Sequence, residues 1–332
     1  MAVIAPTRRE EFPNGSRVEL YHGDCFTVLE QLEEGRFHAI ITDPPYGVLE
    51  YTPEQVDKLR AGRGGVWRIP PSFDGHRRRP LPRFTVLSEE DLDALEAFFE
   101  AWARAALRVL RPGGHLVLAS NTLLEDVVFR AVRRAGFEKR GVLHRPVSTL
   151  RGGDRPKGAE SVFPDVSVSP RNRIEPWGLF RKPFEGTVRE NLERWGTGGL
   201  RRISKRSPFT DLLADLPLDS SRTPRDEREL ADHPSLKPQQ LLRYLVWAAL
   251  PVGEGEILDP FMGSGAHIAA AAALGYDAVG IEIDGKYFEL ARRSIPLLAS
   301  LPRRVNGSMT GASTEGPVIP DGDEEQPLRL FR

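Results

Sequence analysis

Four short apolar runs in this chain each stop at an acidic residue, and that repeated ending constrains the fold more than any other feature. Residues 18–21 (VELY) lead to Gly23-Asp24, and residues 38–42 (HAIIT) to Asp43-Pro44-Pro45. Residues 256–258 (EIL) lead to Asp259-Pro260, and residues 277–281 (DAVGI) to Glu282. Such runs are too short for helices and suit strands of a buried parallel sheet. Proline closes two of them, because it has no N–H with which to continue a ladder. Segments of helical period lie between the runs. Residues 26–32 read as a short helix. Ser88-Glu89-Glu90-Asp91 has the form of a capping box, and after it Leu92, Leu95, Phe99, Trp102, Ala106 and Leu110 recur on one helical face. Arg111-Pro112-Gly113-Gly114 stops that helix. Residues 115–119 and 137–147 read as strands, with a helix over 125–135 between them. Lys237-Pro238 opens a helix that places Leu241, Leu242, Leu245 and Ala249 together, an Ala-rich helix follows Gly265, and Asp284 caps the last one. Alternating strands and helices predict an α/β fold with a Rossmann-like, doubly wound, mainly parallel sheet. Ligands of such sheets sit beyond the carboxyl ends of the strands, where Asp24, Asp43, Asp259 and Glu282 all fall.

One stretch breaks the alternation. Residues 151–223 hold Gly152-Gly153, many prolines and short hydrophobic fragments, and read as an irregular inserted module. A chain of 332 residues accommodates one large α/β domain with such an insert. The expected division is an N-terminal extension (1–16), a first half of the α/β domain (17–150), the insert (151–232), a second half (233–300) and a tail (301–332). Gly, Pro, Ser and acidic residues predict disorder in that tail.

The formal net charge is −1, yet residues 139–206 carry sixteen Lys and Arg against seven Asp and Glu. Residues 60–83 carry seven Arg against Asp74 alone. A basic patch on a neutral chain suits a polyanion, and it also suits a plain solvated face. The candidate contacts in the insert are Arg151, Arg155, Lys157, Arg171, Arg173, Arg181, Lys182, Arg201 and Arg202. Trp177, Phe180, Phe184 and Trp195 stand among them and are expected to pack inside the insert, with a wedge into DNA as the alternative.

Other classes are excluded more simply. The single cysteine, Cys25, rules out an internal disulfide framework and reads as buried packing. The longest apolar runs, residues 244–250 and 268–274, are far too short to cross a membrane. The opening MAVIAPTRREE lacks the apolar core of a signal peptide, so a cytoplasmic protein is expected. His22, Cys25 and His38 lack metal-ligand spacing, so no metal is expected.

Glycines at 263 and 265 allow a tight turn and a close backbone approach to a ligand at the N-terminus of the following helix. Glu282 ends the next strand, where a carboxylate can accept hydrogen bonds from two ribose hydroxyls. A dinucleotide fingerprint would place a third glycine at position 268, which is Ile268. The pattern therefore suits an adenosine-containing cofactor without a pyrophosphate.

Asp43-Pro44-Pro45-Tyr46 suits a different task. The prolines stiffen the backbone directly after a strand. Pro45 biases Pro44 to extended geometry, so that the Pro44 carbonyl can face the cleft. A carboxylate, a carbonyl and an aromatic ring match an aromatic amino group, with two acceptors for two N–H bonds and a face for stacking. A strand-ending Asp-Pro turn without chemistry is the plainer alternative.

DPPYGV at residues 43–48, HPSLKP at 233–238 and ILDPFMGSG at 257–265 resemble the S-adenosylmethionine-dependent DNA amino-methyltransferases. The likeness spans residues 17 to about 295. The catalytic block precedes the cofactor block, which is the order of the family's β class, and that class places its target-recognition region between them. The resemblance implies a class I methyltransferase fold, with Asp43, Pro44, Pro45 and Tyr46 as the catalytic motif. It implies a cofactor loop of Asp259, Pro260, Phe261, Gly263, Ser264 and Gly265, with Glu282 on the ribose. Asp24, with Cys25 beside it, would meet the adenine of the cofactor, and His233, Lys237 and Pro238 would help hold its methionine end. The implied partner is DNA, with the target nucleotide flipped out. A homodimer and a cognate restriction nuclease stay open. Members with Asp at the head of the catalytic turn usually act on N6 of adenine, whereas Ser there usually accompanies N4 of cytosine. RNA and protein-amide methyltransferases also use a Pro-Pro-Tyr turn, but their cofactor block usually comes first. A DNA-binding protein without catalysis would have no need of an intact Asp43 and glycine loop.

Overall fold

The computed structural model describes residues 5–45, 72–73, 76–77, 88–147, 155–156, 158–213, 221–233, 235–305 and 308–310. The elements run β1 (Arg8–Glu11), β2 (Arg17–His22), α1 (Cys25–Gln31), β3 (Phe37–Thr42), β4 (Ser72–Phe73), β5 (His76–Arg77), α2 (Glu89–Val109), β6 (Leu110–Ala119), α3 (Glu125–Arg134) and β7 (Glu138–Pro146). There follow β8 (Ile174–Arg181), α4 (Val188–Trp195), α5 (Arg225–Leu230), α6 (Gln239–Ala249), β9 (Glu256–Asp259), α7 (Ala266–Ala273), β10 (Asp277–Glu282), α8 (Gly285–Ala299), β11 (Arg303–Val305) and β12 (Ser308–Thr310).

One mixed sheet of eight strands has the order β1-β2-β10-β9-β3-β6-β8-β7. β2, β10, β9, β3 and β6 are mutually parallel. Strand alternation sorts side chains to two helical layers. Ala39 and Ile41 of β3 and Val117 and Ala119 of β6 pack with α6, α7 and α8. Phe37, Ile40, Leu116 and Leu118 pack with α1, α2 and α3. Both faces are thus covered, as the apolar runs require. The face of α2 expected from its spacing is the buried one, with Leu95, Phe99, Trp102 and Ala106 all within 2% of complete burial. Its capping box forms: Asp91 N donates to Ser88 Oγ at 3.2 Å, and Ser88 N donates to the Asp91 carboxylate at 2.9 Å.

Three expectations need correction. The supposed N-terminal extension contributes β1, an antiparallel edge strand pairing Arg8 with Leu20 and Glu11 with Arg17. The supposed insert is not separate from the sheet, because β8 lies between β6 and β7 and is antiparallel to both. Its run PWGLF buries Trp177 on one face and Phe180 on the other, both wholly inaccessible. Gly178 sits between them because a Cβ there would come within 2.7 Å of the Phe129 ring. The division at 150/151 and 232/233 therefore cuts through one core. In the expected tail, β11 and β12 pair antiparallel, and residues 311–332 lie outside the described residues.

The direction of β8 matters for function. Its first residues lie at the carboxyl edge of the parallel strands, where Trp177 faces Ala119 and Glu175 faces Arg145. Its last residues lie at the amino edge, where Arg181 faces His115. Among the described residues, no helix is long and apolar enough to cross a membrane.

Candidate active site

β3 ends at Thr42 and hands Asp43 to the carboxyl edge of the sheet. Pro44 is buried and Pro45 exposed; Tyr46 lies outside the described residues. Asp43 Oδ2 accepts from Lys237 Nζ at 2.5 Å and from Ser235 Oγ at 2.7 Å. Both donors come from the HPSLKP block, whose Pro238 is the N-cap of α6. Pro234 lies outside the described residues. Lys237 was expected at the methionine end of a cofactor. Its ammonium is buried and bonded to the Asp43 carboxylate.

Lys237 has a second anion. Its Nζ lies 3.2 Å from Glu175 Oε1, and Glu175 Oε2 accepts from Arg145 Nη1 at 2.8 Å and from Trp177 Nε1 at 2.9 Å. Burial pushes the Lys237 ammonium down, but Asp43 and Glu175 outweigh it and hold it above the usual lysine range. Burial pushes Glu175 up, and Lys237 and Arg145 overcome that and hold it below the usual carboxylate range. Glu175, Arg145 and Ser235 were not singled out in the sequence. Ser235 lies inside the HPSLKP block. An acid opening an apolar strand in basic surroundings was the only signal for Glu175.

On the neighbouring strands the glycine loop takes the expected form. Gly263 and Gly265 have φ of +52° and +77°, in the left-handed region that favours glycine. A Cβ on Gly263 would come within 2.9 Å of His233 Nε2, and one on Gly265 would run into Ile295. His233 also meets the Tyr287 ring edge-on, with centroids 4.6 Å apart. Phe261 packs against Trp102, Ser264 is buried, and its carbonyl accepts from Ser294 Oγ. Glu282 Oε2 accepts from Gly263 N at 2.9 Å and Oε1 from Asp284 N at 2.8 Å, so the acid that ends β10 holds the loop. Burial pushes Glu282 above the usual carboxylate range, against the two backbone bonds.

Asp24 caps α1 through a bond from Thr27 N, and its neighbour Gly23 donates its N–H to the Glu282 carbonyl, which places the two acids at adjacent strand ends. The Cys25 thiol is buried and pushed up to about 12, by burial first and Asp24 next. Its side chain belongs to the core, not to a ligand surface. Asp259 is likewise wholly inaccessible. Its Oδ1 accepts from Thr42 Oγ1 at 2.6 Å and from Phe261 N at 3.1 Å, and its Oδ2 lies 2.8 Å from His267 Nδ1. Asp259 therefore shapes the glycine loop from beneath. The positive-φ glycines, the N-terminus of α7 and the part-exposed Glu282 fit an adenosine-containing cofactor.

The basic candidates divide by position. Arg155, Arg171 and Arg173 are exposed in the β7–β8 connection, and Arg173, whose carbonyl accepts from Val147 N, lies with neighbouring Arg171 at the edge that carries Asp43. Arg181, Lys182 and Arg201 are at the opposite edge and bonded within the protein. Arg181 is buried on Glu138 at 2.6 Å with Phe184 beneath its guanidinium. Lys182 Nζ donates to Leu110 O at 2.8 Å, and Arg201 Nη2 to Leu250 O at 2.6 Å. These three support the fold and are withdrawn as DNA contacts. Arg202 is exposed but bonds the nearby carbonyls of Ser204 and Arg206. Arg151 and Lys157 lie outside the described residues.

Comparison with known proteins completes the picture. A family profile described as DNA methylase, of the N6/N4 methyltransferase type, matches residues 37–293. The chain belongs to this family. It is 24% identical over 290 residues to the Type II methyltransferase M.HindIII of Haemophilus influenzae, covering 82% of this chain and 93% of the relative. It is 21% identical over 305 residues to the Type II methyltransferase M2.DpnII of Streptococcus pneumoniae, covering 85% and 91%. In fold it is similar to the cytosine-N4-specific PvuII DNA methyltransferase, with a TM-score of 0.54, 13% identity and coverage of 88% and 95%. It is also similar to a DNA modification methylase of Thermus thermophilus, TTHA0409, complexed with S-adenosyl-L-methionine, with a TM-score of 0.50, 21% identity and coverage of 84% and 93%. The DNA methylase is thus an S-adenosylmethionine-dependent enzyme that methylates an exocyclic amino group of a DNA base.

Proposed function

We propose that this DNA methylase modifies N6 of adenine, on a nucleotide swung out of the duplex. The observation that carries the reading is Asp43: a carboxylate, not a hydroxyl, heads the catalytic turn, and Lys237 and Ser235 hold one of its oxygens in place. In the family, Asp there usually accompanies adenine. A base stacked in duplex DNA cannot reach the edge of a sheet, which is the reason for flipping.

The chemistry follows from the residues. An exocyclic amine shares its lone pair with the ring and is a poor nucleophile. Acceptance of its two N–H bonds by Asp43 and the Pro44 carbonyl favours the pyramidal amine, and Tyr46 supplies a stacking face. S-Adenosylmethionine, when bound, supplies an electrophilic methyl group. Glu282 would accept from its ribose hydroxyls, Asp24 would meet its adenine, and the backbone at Gly263 and Gly265 would pass close beside it. Arg171 and Arg173 share the edge with Asp43 and, with Arg155, would bind phosphates, which position the duplex without reading it. The Type II relatives motivate a further part of this reading, a partner nuclease blocked by the same mark.

The test is digestion of DNA methylated by the pure enzyme, with mass spectrometry of the nucleosides. N6-methyldeoxyadenosine is expected. Methyl label found only in N4-methyldeoxycytidine would overturn the choice of base and leave the family and cofactor intact.

A further inference from the structure

Behind Asp43 lies a chain of buried charges. Asp43 after β3, Lys237 before α6, Glu175 in β8 and Arg145 in β7 alternate in sign through contacts of 2.5, 3.2 and 2.8 Å. Their side chains are 7%, 7%, 19% and 6% exposed, in that order. Glu175 is the hub, since it holds Lys237 with one oxygen and both Arg145 and Trp177 with the other. The four charges sum to zero. On the other side of Asp43 stand Asp259 from β9 and His267 from α7, tied to the neighbouring Thr42, and the neutral Ser235 hydroxyl.

That balance bears on methyl transfer. The amine nitrogen forms a bond to the methyl carbon with its lone pair, while the carbon–sulfur bond breaks and its pair goes to sulfur. Positive charge therefore leaves the sulfur and arrives at the amine, which then releases one proton. Without Glu175, Lys237 and Arg145 would both lose an anion, and the buried set would carry one surplus positive charge relative to the native protein. In a poorly screened interior that surplus opposes charge arriving at the amine and competes for the lone pairs of Asp43.

We propose that Glu175 is a positioning residue for methyl transfer: it offsets the charges of Lys237 and Arg145 from behind, so that Asp43 serves as the acceptor for the amine and not chiefly as the counter-ion of Lys237. The inference rests on Asp43 as the amine acceptor. Glu175 reaches this place only because β8 runs antiparallel and starts at the carboxyl edge.

The test is steady-state kinetics across pH on the full chain, with S-adenosylmethionine and DNA, for Glu175→Gln, Arg145→Gln and the double variant. Calorimetric titration of S-adenosylmethionine and thermal melts accompany the kinetics. In Glu175→Gln, kcat is expected to fall tenfold or more while cofactor affinity stays within about threefold, and the acid limb of the kcat profile moves to lower pH. Arg145→Gln leaves surplus negative charge and moves that limb to higher pH, so it carries the test by itself if Glu175→Gln does not fold. The double variant restores neutrality and recovers kcat to within about threefold. Acid limbs that stay in place, or a double variant whose loss equals the product of the single losses, would overturn the proposal. Asp43→Ala run alongside separates the two ideas: if it retains turnover, the reading of Asp43 fails, whereas an inactive Asp43→Ala beside a fully active Glu175→Gln sinks only the role of Glu175.

Discussion

Asp43-Pro44 and Asp259-Pro260 are the same dipeptide at the same place in neighbouring strands. β3 and β9 pair in parallel, with Ala39 beside Ile257 and Ile40 beside Leu258, a register that puts Asp259 level with Ile41 and Asp43 two residues further along. A hydrogen bond from Thr42 Oγ1 to Asp259 joins the two turns. Their surroundings differ in kind. Asp259 is sealed from solvent and receives a hydroxyl, a backbone amide and an imidazole contact. Asp43, whose side chain is 7% exposed, is met by an ammonium that is itself backed by Glu175. The contrast shows how one local motif acquires two jobs. A hydroxyl, an amide and an imidazole closing in on a buried carboxylate make a strut, while in the proposed reading a buried cation beside a carboxylate holds an acceptor ready for a substrate.

Three experiments sharpen that contrast. The largest effect is expected at Asp43. Asp43→Ala removes the acceptor and leaves Lys237 with Glu175, so methyl transfer should be lost while S-adenosylmethionine binding stays within a few-fold. Single-turnover transfer and calorimetric titration measure the two separately, and full turnover in the folded variant would remove Asp43 from the mechanism.

Asp259→Ala should act on the fold. It strands the Thr42 hydroxyl and the Phe261 amide in a buried place, at a cost of about 1–3 kcal/mol for each group left unsatisfied. Denaturant unfolding should show the loss, with weaker cofactor binding following from a slackened loop. Unchanged stability would mean that the strut reading is wrong and that Asp259 resembles Asp43 more than its burial suggests.

The smallest effect concerns Glu282, one strand further along, and it turns on sign. Burial holds its carboxyl above the usual range, so the folded protein binds this proton more tightly than the unfolded chain does. Through this group stability is favoured at low pH, below the unfolded carboxylate pKa, and that contribution is lost as pH rises through the folded value. Cofactor binding should run the opposite way, since ribose hydroxyls call for a charged acceptor. S-Adenosylmethionine affinity should therefore fall a few-fold on acidification, beginning at a higher pH than an ordinary glutamate would give, and Glu282→Gln should flatten the dependence. An affinity indifferent to pH in the native enzyme would argue against Glu282 on the ribose.

The sequence alone determined the layered α/β fold, the glycine loop after β9 and the rigid Asp43-Pro44 turn after β3. These rest on short-range physics: strand period, proline without an N–H, glycine at positive φ, and a capping box. Only the tertiary structure decided that residues 8–11 and 174–181 belong to the main sheet, because an edge strand and an antiparallel strand gain their hydrogen bonds from partners far away in the chain. It also divided the basic segment, sending Arg181, Lys182 and Arg201 to the amino edge and leaving Arg171 and Arg173 at the carboxyl edge. Charge counted along a chain carries no information about which end of a strand it will occupy. For the same reason Lys237 could not be matched with Asp43, 194 positions away, nor Glu175 with Arg145. Buried ion pairs form between residues that folding brings together, and their spacing in sequence leaves no periodic trace.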